Sequence, residues 1–384
     1  MLDKDIFKQF DWLTVLLVLA LVAIGLVSIT SIMADPFSGE EVALADYLEK
    51  LNLTYVQRQA VNFLVGVAAF LIVIALDYKI YKYVIKYAYF FIVLLLLLLF
   101  VTSKVRGIQG WFKLESLDRA LQPGELCKIA IIIALSQIVS QSMDKHGRLT
   151  GIKTIAYAVL ICAVPTILVL LQPDFGTAFV YVCIMVFIFF VGRISWGYIA
   201  AAAGMLVVGA PLAYQFLFSE EQRWRIRVFL DPALDPLKYG YNVSQSKIAV
   251  GSGQLTGKGF FSEGTLAQLR FVPERHTDFI FAGIVEGLGF IGGTVIIVLY
   301  FLLIFRWLYM AMKLKDHLAS CLVIGVTGML TAHVFENIGM TIGLMPVTGI
   351  PLPFISYGGS AMLVNCGLLG IVLSVSMRRF VFKG

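Results

Sequence analysis

Apolar residues recur in long runs along the whole chain. Ten of these runs are long enough to cross about 30 Å of hydrocarbon as helices. They cover residues 13–33, 57–76, 84–102, 126–142, 154–171, 175–192, 197–217, 278–305, 318–345 and 354–377. A longer polar stretch, 218–277, separates the seventh run from the eighth. The pattern predicts an all-α polytopic membrane protein with about ten transmembrane helices. We expect one membrane domain over residues 1–384, with a long loop between helices 7 and 8.

The composition supports this class. Hydrophobic residues make up 59% of the 384 residues and charged residues 14%, and the mean hydropathy is +0.89, which excludes an ordinary soluble domain. The first run is too long for the core of a signal peptide, so an uncleaved helix is expected. The cysteines all fall inside predicted spans, at positions Cys127, Cys162, Cys183, Cys321 and Cys366. Their odd number and lack of metal-ligand spacing predict free packing thiols.

Lysine and arginine predict the orientation. Fifteen of them lie at the N-terminus, at the C-terminus and in the short connections on the same side, against seven in the short segments on the other side. Short basic loops remain in the cytoplasm, and long loops do not count in this rule. We therefore expect both termini in the cytoplasm and the 218–277 loop on the outer face.

Ionisable residues gather at the predicted outer ends of the spans. The boundary motif 273–278 reads Pro-Glu-Arg-His-Thr-Asp and directly precedes an apolar run. A carboxylate at a membrane boundary is a functional candidate, although Thr277 and Asp278 could equally cap the helix. The long loop carries Arg223, Arg225 and Arg227, which would share one face of an extended backbone but not of a helix. These arginines suit an anionic ligand, and ordinary solvated charge is the alternative.

Polar residues inside the spans are few. Glu125 and Lys128 are three positions apart, so they can pair on a helix. Glu286, His333 and Glu336 are expected to form satisfied structural pairs, with His333 facing Glu336 or Asn337. Transporters line their paths with similar residues, so this set alone does not separate an enzyme from a flippase.

Several longer stretches are more specific. They are 122–125 with Lys128, 172–178, 229–232, 245–253, 273–281 and 346–360. In content and order they resemble the SEDS family (shape, elongation, division and sporulation), and 256–259 and 337–340 resemble its rod-shape branch more than its division branch. Two departures concern segment 103–125. Gly110 stands where the family usually has an arginine, and Gly124 where it usually has a serine.

The resemblance implies a peptidoglycan glycosyltransferase that polymerises lipid II into β-1,4 glycan strands on the outer face, with inversion. Asp278 matches the residue regarded as catalytic and would act as general base. The cavity would be shaped by Trp111, Glu125, Lys128, Asp174 and His276, and phosphate contacts would come from Arg223, Arg225 and Lys247. A divalent cation, Mg²⁺ or Mn²⁺, could assist them, and no organic cofactor is implied.

The expected partners are lipid II, the nascent glycan strand, a class B penicillin-binding protein and other membrane proteins of the elongation complex, but no nucleic acid. Two alternatives remain, a lipid II flippase and a scaffold that only positions a transpeptidase. A flippase would spread polar residues through the membrane depth. In this chain they gather at the outer end, which favours the enzyme.

Overall fold

The computed structural model describes residues 9–34, 53–101, 110–114, 119–144, 147–149, 151–216, 220–231, 234–235, 239–262 and 265–378. Within these ranges the chain forms twelve α-helices and one short β-hairpin. The helices are α1 (Trp12–Met33), α2 (Thr54–Ala75), α3 (Tyr81–Leu98), α4 (Pro123–Gln141), α5 (Ile152–Leu171), α6 (Phe175–Val191), α7 (Trp196–Phe216), α8 (Glu220–Leu230), α9 (Tyr239–Ser252), α10 (Ile280–Lys313), α11 (His317–Thr341) and α12 (Gly359–Arg378). The strands are β1 (Phe112–Leu114) and β2 (Arg119–Leu121), paired antiparallel.

Ten of these helices coincide with the ten predicted spans, which confirms the all-α membrane fold. Among the described residues, eight helices are long and apolar enough to cross a membrane: α1–α5, with the 3₁₀ turns flanking α3 included, and α10–α12. The sixth span is an apolar helix of 17 residues, α6, and the seventh is the helix α7, of 21 residues. The edges differ by a few residues. The largest difference is at α10, which continues to Lys313 instead of ending at 305.

The bundle is built around α11 and α12. Most residues of these two helices are buried inside the protein, whereas few residues of α2 and α3 are buried. Helix α11 packs against α4, α6 and α10, and α12 packs along α2. Because the interior helices touch neighbours on nearly every side, they show no amphipathic stripe, as expected of helices that are buried all round. The five cysteines are free thiols in this bundle, as predicted.

Local sequence signals set where α4 and α6 begin. Helix α4 begins with Pro123 at its first turn, where a missing backbone N–H costs nothing. Helix α6 is capped by Asp174, whose Oδ1 accepts a hydrogen bond from the Thr177 backbone N–H at 3.0 Å. These starts place Glu125 in the first turn of α4 and Asp174 immediately before α6.

The long loop is not extended. Its described part contains α8 and α9, and α9 packs against α10 and α11. Residues 253–262 and 265–279 then lead from α9 to α10. The boundary motif is part of this connection: Glu274 has φ 48°, and its carbonyl accepts from the backbone N–H groups of Thr277 (3.1 Å) and Phe279 (3.2 Å).

Candidate active site

A cavity of about 700 Å³ opens where several polar segments meet. Its walls come from α2, the β-hairpin, the N-terminal ends of α4 and α6, helices α8 and α9, the boundary motif, and segments 347–351 and 357–363. A volume of this size falls in the range of small-molecule sites. Five of the predicted site residues line it: Trp111, Glu125, Asp174, Arg225 and Asp278. Lys128, Arg223, Lys247 and His276 are outside the wall.

Asp278 is held at the cavity by contacts to its backbone. The Asn337 side-chain amide of α11 donates to the Asp278 carbonyl at 2.8 Å and to the Ile350 carbonyl at 2.7 Å. A Cβ atom at Gly349 would lie 3.4 Å from Asp278 Oδ2, so the 346–353 segment lies directly against the carboxylate. The amide of Asn337 therefore joins the boundary motif to this segment.

The neighbouring motif residues are fixed by the end of the connection between α11 and α12. The Ser356 hydroxyl donates to the Thr277 carbonyl at 2.6 Å, and the Tyr357 N–H donates to the His276 carbonyl at 2.9 Å. The His276 ring packs edge-on to Tyr55, with centroids 4.9 Å apart, and lies 5.5 Å from the Tyr357 ring. His276 thus supports Tyr357, which lines the cavity.

Behind Glu125 lies a buried ionic cluster. The Lys128 ammonium is completely buried and lies 2.6 Å from Glu125 Oε1 and 2.8 Å from His333 Nε2. The other ring nitrogen, Nδ1, is 3.2 Å from the Pro351 carbonyl. Because a carbonyl can only accept, Nδ1 carries the proton and Nε2 is free to accept from Lys128. The cluster therefore links α4, α11 and the 346–353 segment.

The His333 contacts differ from the sequence expectation. His333 was expected to face Glu336 or Asn337, but no hydrogen bond joins it to either of them. The ring instead reaches Lys128 on another helix and Pro351 on another segment. Spacing along one helix could not identify partners that come from elsewhere in the bundle.

Asp174 is a buried cap as well as a wall residue. Besides the Thr177 N–H, it accepts from the Thr177 hydroxyl at 2.9 Å and approaches Gln122 Nε2 at 3.5 Å. Burial raises the pKa of Asp174, although the two Thr177 hydrogen bonds oppose that rise. The carboxylate is therefore committed to local structure on one side and faces the cavity on the other.

The arginines of the long loop separate because α8 is helical. Arg225 lines the cavity. Arg223 instead donates to Glu220 Oε1 at 3.1 Å and to the Gln215 carbonyl at 2.8 Å, and Arg227 donates to the Tyr214 hydroxyl at 3.3 Å. Lys247 is exposed on α9 beside Gly343. Of the predicted phosphate contacts, the structure therefore brings only Arg225 to the cavity wall.

Three polar wall residues lie outside the segments singled out from the sequence: Arg58 and Asn62 on α2, and Asn242 on α9. Arg58 and Asn62 are four positions apart, so they share a helix face. That spacing within an otherwise apolar run was the available signal. Asn242 gave no such signal, because it lies in the polar stretch 218–277, where the pattern predicts no helix.

The described residues contain no group of three or more His, Cys, Asp or Glu side chains arranged to hold a metal ion. The wall carboxylates have other partners: Glu125 pairs with Lys128, and Asp174 with Thr177. These residues do not form a preorganised cation site, and the divalent cation stays a prediction.

Comparison with known proteins connects this geometry to a family. Residues 11–380 match the FtsW, RodA and SpoVE family, described as cell cycle proteins. Peptidoglycan glycosyltransferase MrdB of Escherichia coli K12 is 39% identical over 274 residues, covering 71% of this chain and 72% of that protein.

Two solved structures share the fold over nearly the whole length. One, described as "Structural coordination of polymerization and crosslinking by a peptidoglycan synthase complex", has a TM-score of 0.77 and 28% identity, covering 97% of this chain and 98% of that one. The other is the rod shape determining protein RodA of Thermus thermophilus, with a TM-score of 0.68 and 26% identity over the same shares.

Proposed function

The chain belongs to the FtsW, RodA and SpoVE family of cell cycle proteins, and on that premise we propose that it is a peptidoglycan glycosyltransferase that polymerises lipid II into β-1,4-linked glycan strands during cell elongation. The observation that carries this proposal is the cavity, whose wall contains Asp278 together with Arg58 and Arg225. A base and two cations suit a sugar acceptor and a diphosphate leaving group.

The chemistry needs few groups. Asp278 takes the proton from the acceptor hydroxyl while that oxygen attacks the anomeric carbon of the donor. The bond from this carbon to the diphosphate oxygen breaks, the diphosphate leaves with the electron pair, and the configuration inverts. Because a diphosphate is stable as an anion, it needs no general acid. Positioned cations that meet its developing charge are sufficient.

The wall residues divide this work. Arg58 and Arg225 neutralise the departing diphosphate, since a guanidinium presents a fork of donors that matches phosphate oxygens. The Glu125–Lys128 ion pair makes this part of the site polar without adding net charge. Trp111 offers an aromatic surface of the kind on which sugar rings pack. Arg223, Lys247 and His276 lie outside the wall. Arg223 and Lys247 belong to the long loop, and His276 acts through Tyr357.

The orientation follows from the distribution of lysine and arginine. Both termini lie in the cytoplasm, and the cavity opens toward the outer face of the cytoplasmic membrane, where peptidoglycan is assembled. A class B penicillin-binding protein is the expected partner. The likeness to a chain of a peptidoglycan synthase complex that coordinates polymerization and crosslinking supports this pairing.

The decisive experiment uses the Asp278→Asn variant with purified lipid II. The change is nearly isosteric and removes the base, so we expect glycan polymerisation to fall by at least about 10²-fold, with lipid II binding and folding retained. Asp77→Asn is the matched control, because Asp77 caps a 3₁₀ turn away from the cavity and asparagine caps equally well. Near-normal product from Asp278→Asn would exclude Asp278 as the base. Lipid II translocation by the wild-type protein, without polymer formation, would instead support the flippase.

A further inference from the structure

Helix α10 is interrupted about three turns after the boundary motif. Gly289 has φ 69° and ψ −167°, outside the helical region, and divides α10 into an outer piece, residues 280–288, and an inner piece, residues 290–313. The outer piece follows Asp278 directly. Its position therefore determines where the Asp278 carboxylate stands in the cavity.

A break in a membrane helix leaves backbone groups without intrahelical partners, and in lipid these groups must be satisfied by protein. The partners come from residues 251–259, a glycine-rich stretch that reads Gly-Ser-Gly-Gln-Leu-Thr-Gly-Lys-Gly. Lys258 N–H and Gly259 N–H donate to the carbonyls of Glu286 (3.0 Å) and Gly287 (2.9 Å) at the end of the outer piece. At the start of the inner piece, Phe290 N–H donates to the Gln254 carbonyl at 2.8 Å, and Ile291 N–H donates to the Leu255 carbonyl at 3.2 Å.

This contact requires glycine on the loop side. A Cβ atom on Gly257, which has φ +81°, would lie 2.2 Å from the Gly287 carbonyl oxygen, and one on Gly253 would lie 2.0 Å from the Val285 carbonyl oxygen. Both distances are far below van der Waals contact. The loop therefore fits into the break at backbone distance, which explains why glycines occupy these positions.

Glu286 fastens the same loop a second time. Its fully buried carboxylate accepts from Lys258 Nζ at 2.8 Å and from the backbone N–H groups of Leu266 at 2.8 Å and Ala267 at 3.1 Å. The Ser252 hydroxyl approaches it at 3.4 Å. One side chain of the outer piece thus binds the end of α9, the glycine-rich stretch and the return segment that leads to the boundary motif.

We propose that Glu286 is a positioning residue for Asp278. By clamping the loop to residues 280–288, it holds the outer piece as a rigid unit and keeps the base aligned with the acceptor hydroxyl. Glu286 does not line the cavity, so it acts through the position of the helix and not through substrate. This inference rests on the proposed function, in which Asp278 is the base.

The first test compares the catalytic constants of Glu286→Gln and Lys258→Met with lipid II. A glutamine amide presents one N–H₂ where the carboxylate presented an acceptor, so a backbone N–H of the loop is left facing a donor. We expect kcat to fall by about tenfold or more, because small misplacements of reacting groups are costly, with KM changed by less than about threefold. The kcat of Lys258→Met should fall less, because this variant keeps both backbone N–H groups that donate to Glu286.

A reversible cross-link provides the rescue. A Cβ atom on Gly283 of the outer piece would lie 3.5 Å from the Ala267 Cβ, within the range of about 3.5–4.5 Å that a disulfide spans. The Gly283→Cys/Ala267→Cys pair, placed in Glu286→Gln, should restore kcat to within about threefold when oxidised and lose it again on reduction. The same cysteine pair in the protein that retains Glu286 measures the effect of the cysteines themselves. This effect includes displacement of the Ile32 side chain, which would lie 2.5 Å from a Cβ atom on Gly283.

Two results would overturn the inference: an unchanged kcat in Glu286→Gln, or a kcat loss that the oxidised cross-link does not repair. If Glu286→Gln fails to fold, Gly257→Ala disturbs the same contact from the loop side and must lower kcat without raising KM. Near-normal polymerisation by Asp278→Asn would instead refute the assignment of Asp278 as the base. The clamp would still be testable by its effect on kcat, so the two failures are distinguishable.

Discussion

Arg223 and Arg225 are separated by a single residue, yet they have different surroundings. Arg225 lines the cavity, whereas Arg223 is occupied by Glu220 and the Gln215 carbonyl. The reason is the helical turn of α8, which places side chains two positions apart about 200° apart around the axis. The two residues have the same chemistry and almost the same sequence position, so they form a natural pair for comparison.

At this scale we predict that Arg225→Gln weakens the use of lipid II more than Arg223→Gln does. Losing a charge-assisted contact to a phosphate costs about 1.5–3 kcal/mol, so kcat/KM should fall by about tenfold or more in Arg225→Gln. In Arg223→Gln it should change by less than about threefold. Steady-state assays across an ionic-strength series measure both, and the residual activity of Arg225→Gln should depend less on salt. Equal losses in the two variants would contradict the assignment.

Helix α11 holds together the segments that form the cavity. Its residues His333 and Asn337, four positions apart on one face, reach the Lys128 ammonium and the carbonyls of Pro351, Asp278 and Ile350. These groups belong to different parts of the sequence, and α11 is the element that all of them contact. We therefore regard α11 as the element that sets their relative positions.

At the element scale, Asn337→Ala should destabilise the protein and slow catalysis together. Two buried carbonyls lose their donor, at about 1–3 kcal/mol for each group left unsatisfied, and the boundary motif loses its link to the 346–353 segment. A thermal unfolding curve should move to lower temperature, and kcat should fall with little change in KM. Thr331→Ala on the same helix is the control, because its hydroxyl bonds only to the Thr327 carbonyl within α11. A similar shift in both variants would argue against a specific role for Asn337.

At the scale of the whole molecule, the bundle has a large apolar surface and no transpeptidase domain within the described residues. The surface of α10 exposes aromatic side chains such as Phe301, which is 61% exposed. The membrane helix of a class B penicillin-binding protein is expected to pack on the lipid-facing side of α10 and α11.

We predict that such a partner raises the rate of polymerisation by the purified protein. A photo-reactive amino acid at Phe301 should cross-link to the partner, and one at Phe190, which is 77% exposed on α6, should not. Turnover with and without the partner, at matched purity, gives the second measurement. An unchanged rate, or equal cross-linking at the two positions, would contradict this location of the interface.

The hydrophobic pattern alone determined the class of fold. The positions of all ten long helices were predictable because a membrane helix must be apolar over a nearly fixed length, and that requirement is local in the sequence. The free cysteines and the boundary motif were predictable from local features too. The cysteines are odd in number and lack metal-ligand spacing, and the motif directly precedes an apolar run. The short motifs around Glu125, Asp174 and Asp278 were also sufficient to nominate wall residues, since each lies at a boundary where a polar segment meets an apolar run. Pro123 marks the helix start at Glu125, and Asp174 caps its own helix.

Only the tertiary structure decided which polar residues meet. The Glu125–Lys128 pair followed from its spacing, but the contact of Lys128 with His333 and the partners of Asn337 and Glu286 come from segments that are distant in the sequence. No periodicity along one helix identifies these partners. The break at Gly289 had no clear signal either, because its backbone groups are satisfied by a loop some 30 residues earlier. In a bundle whose central helices are buried on every side, side-chain pairing depends on how helices are arranged around one another, and that arrangement is a property of the packed whole.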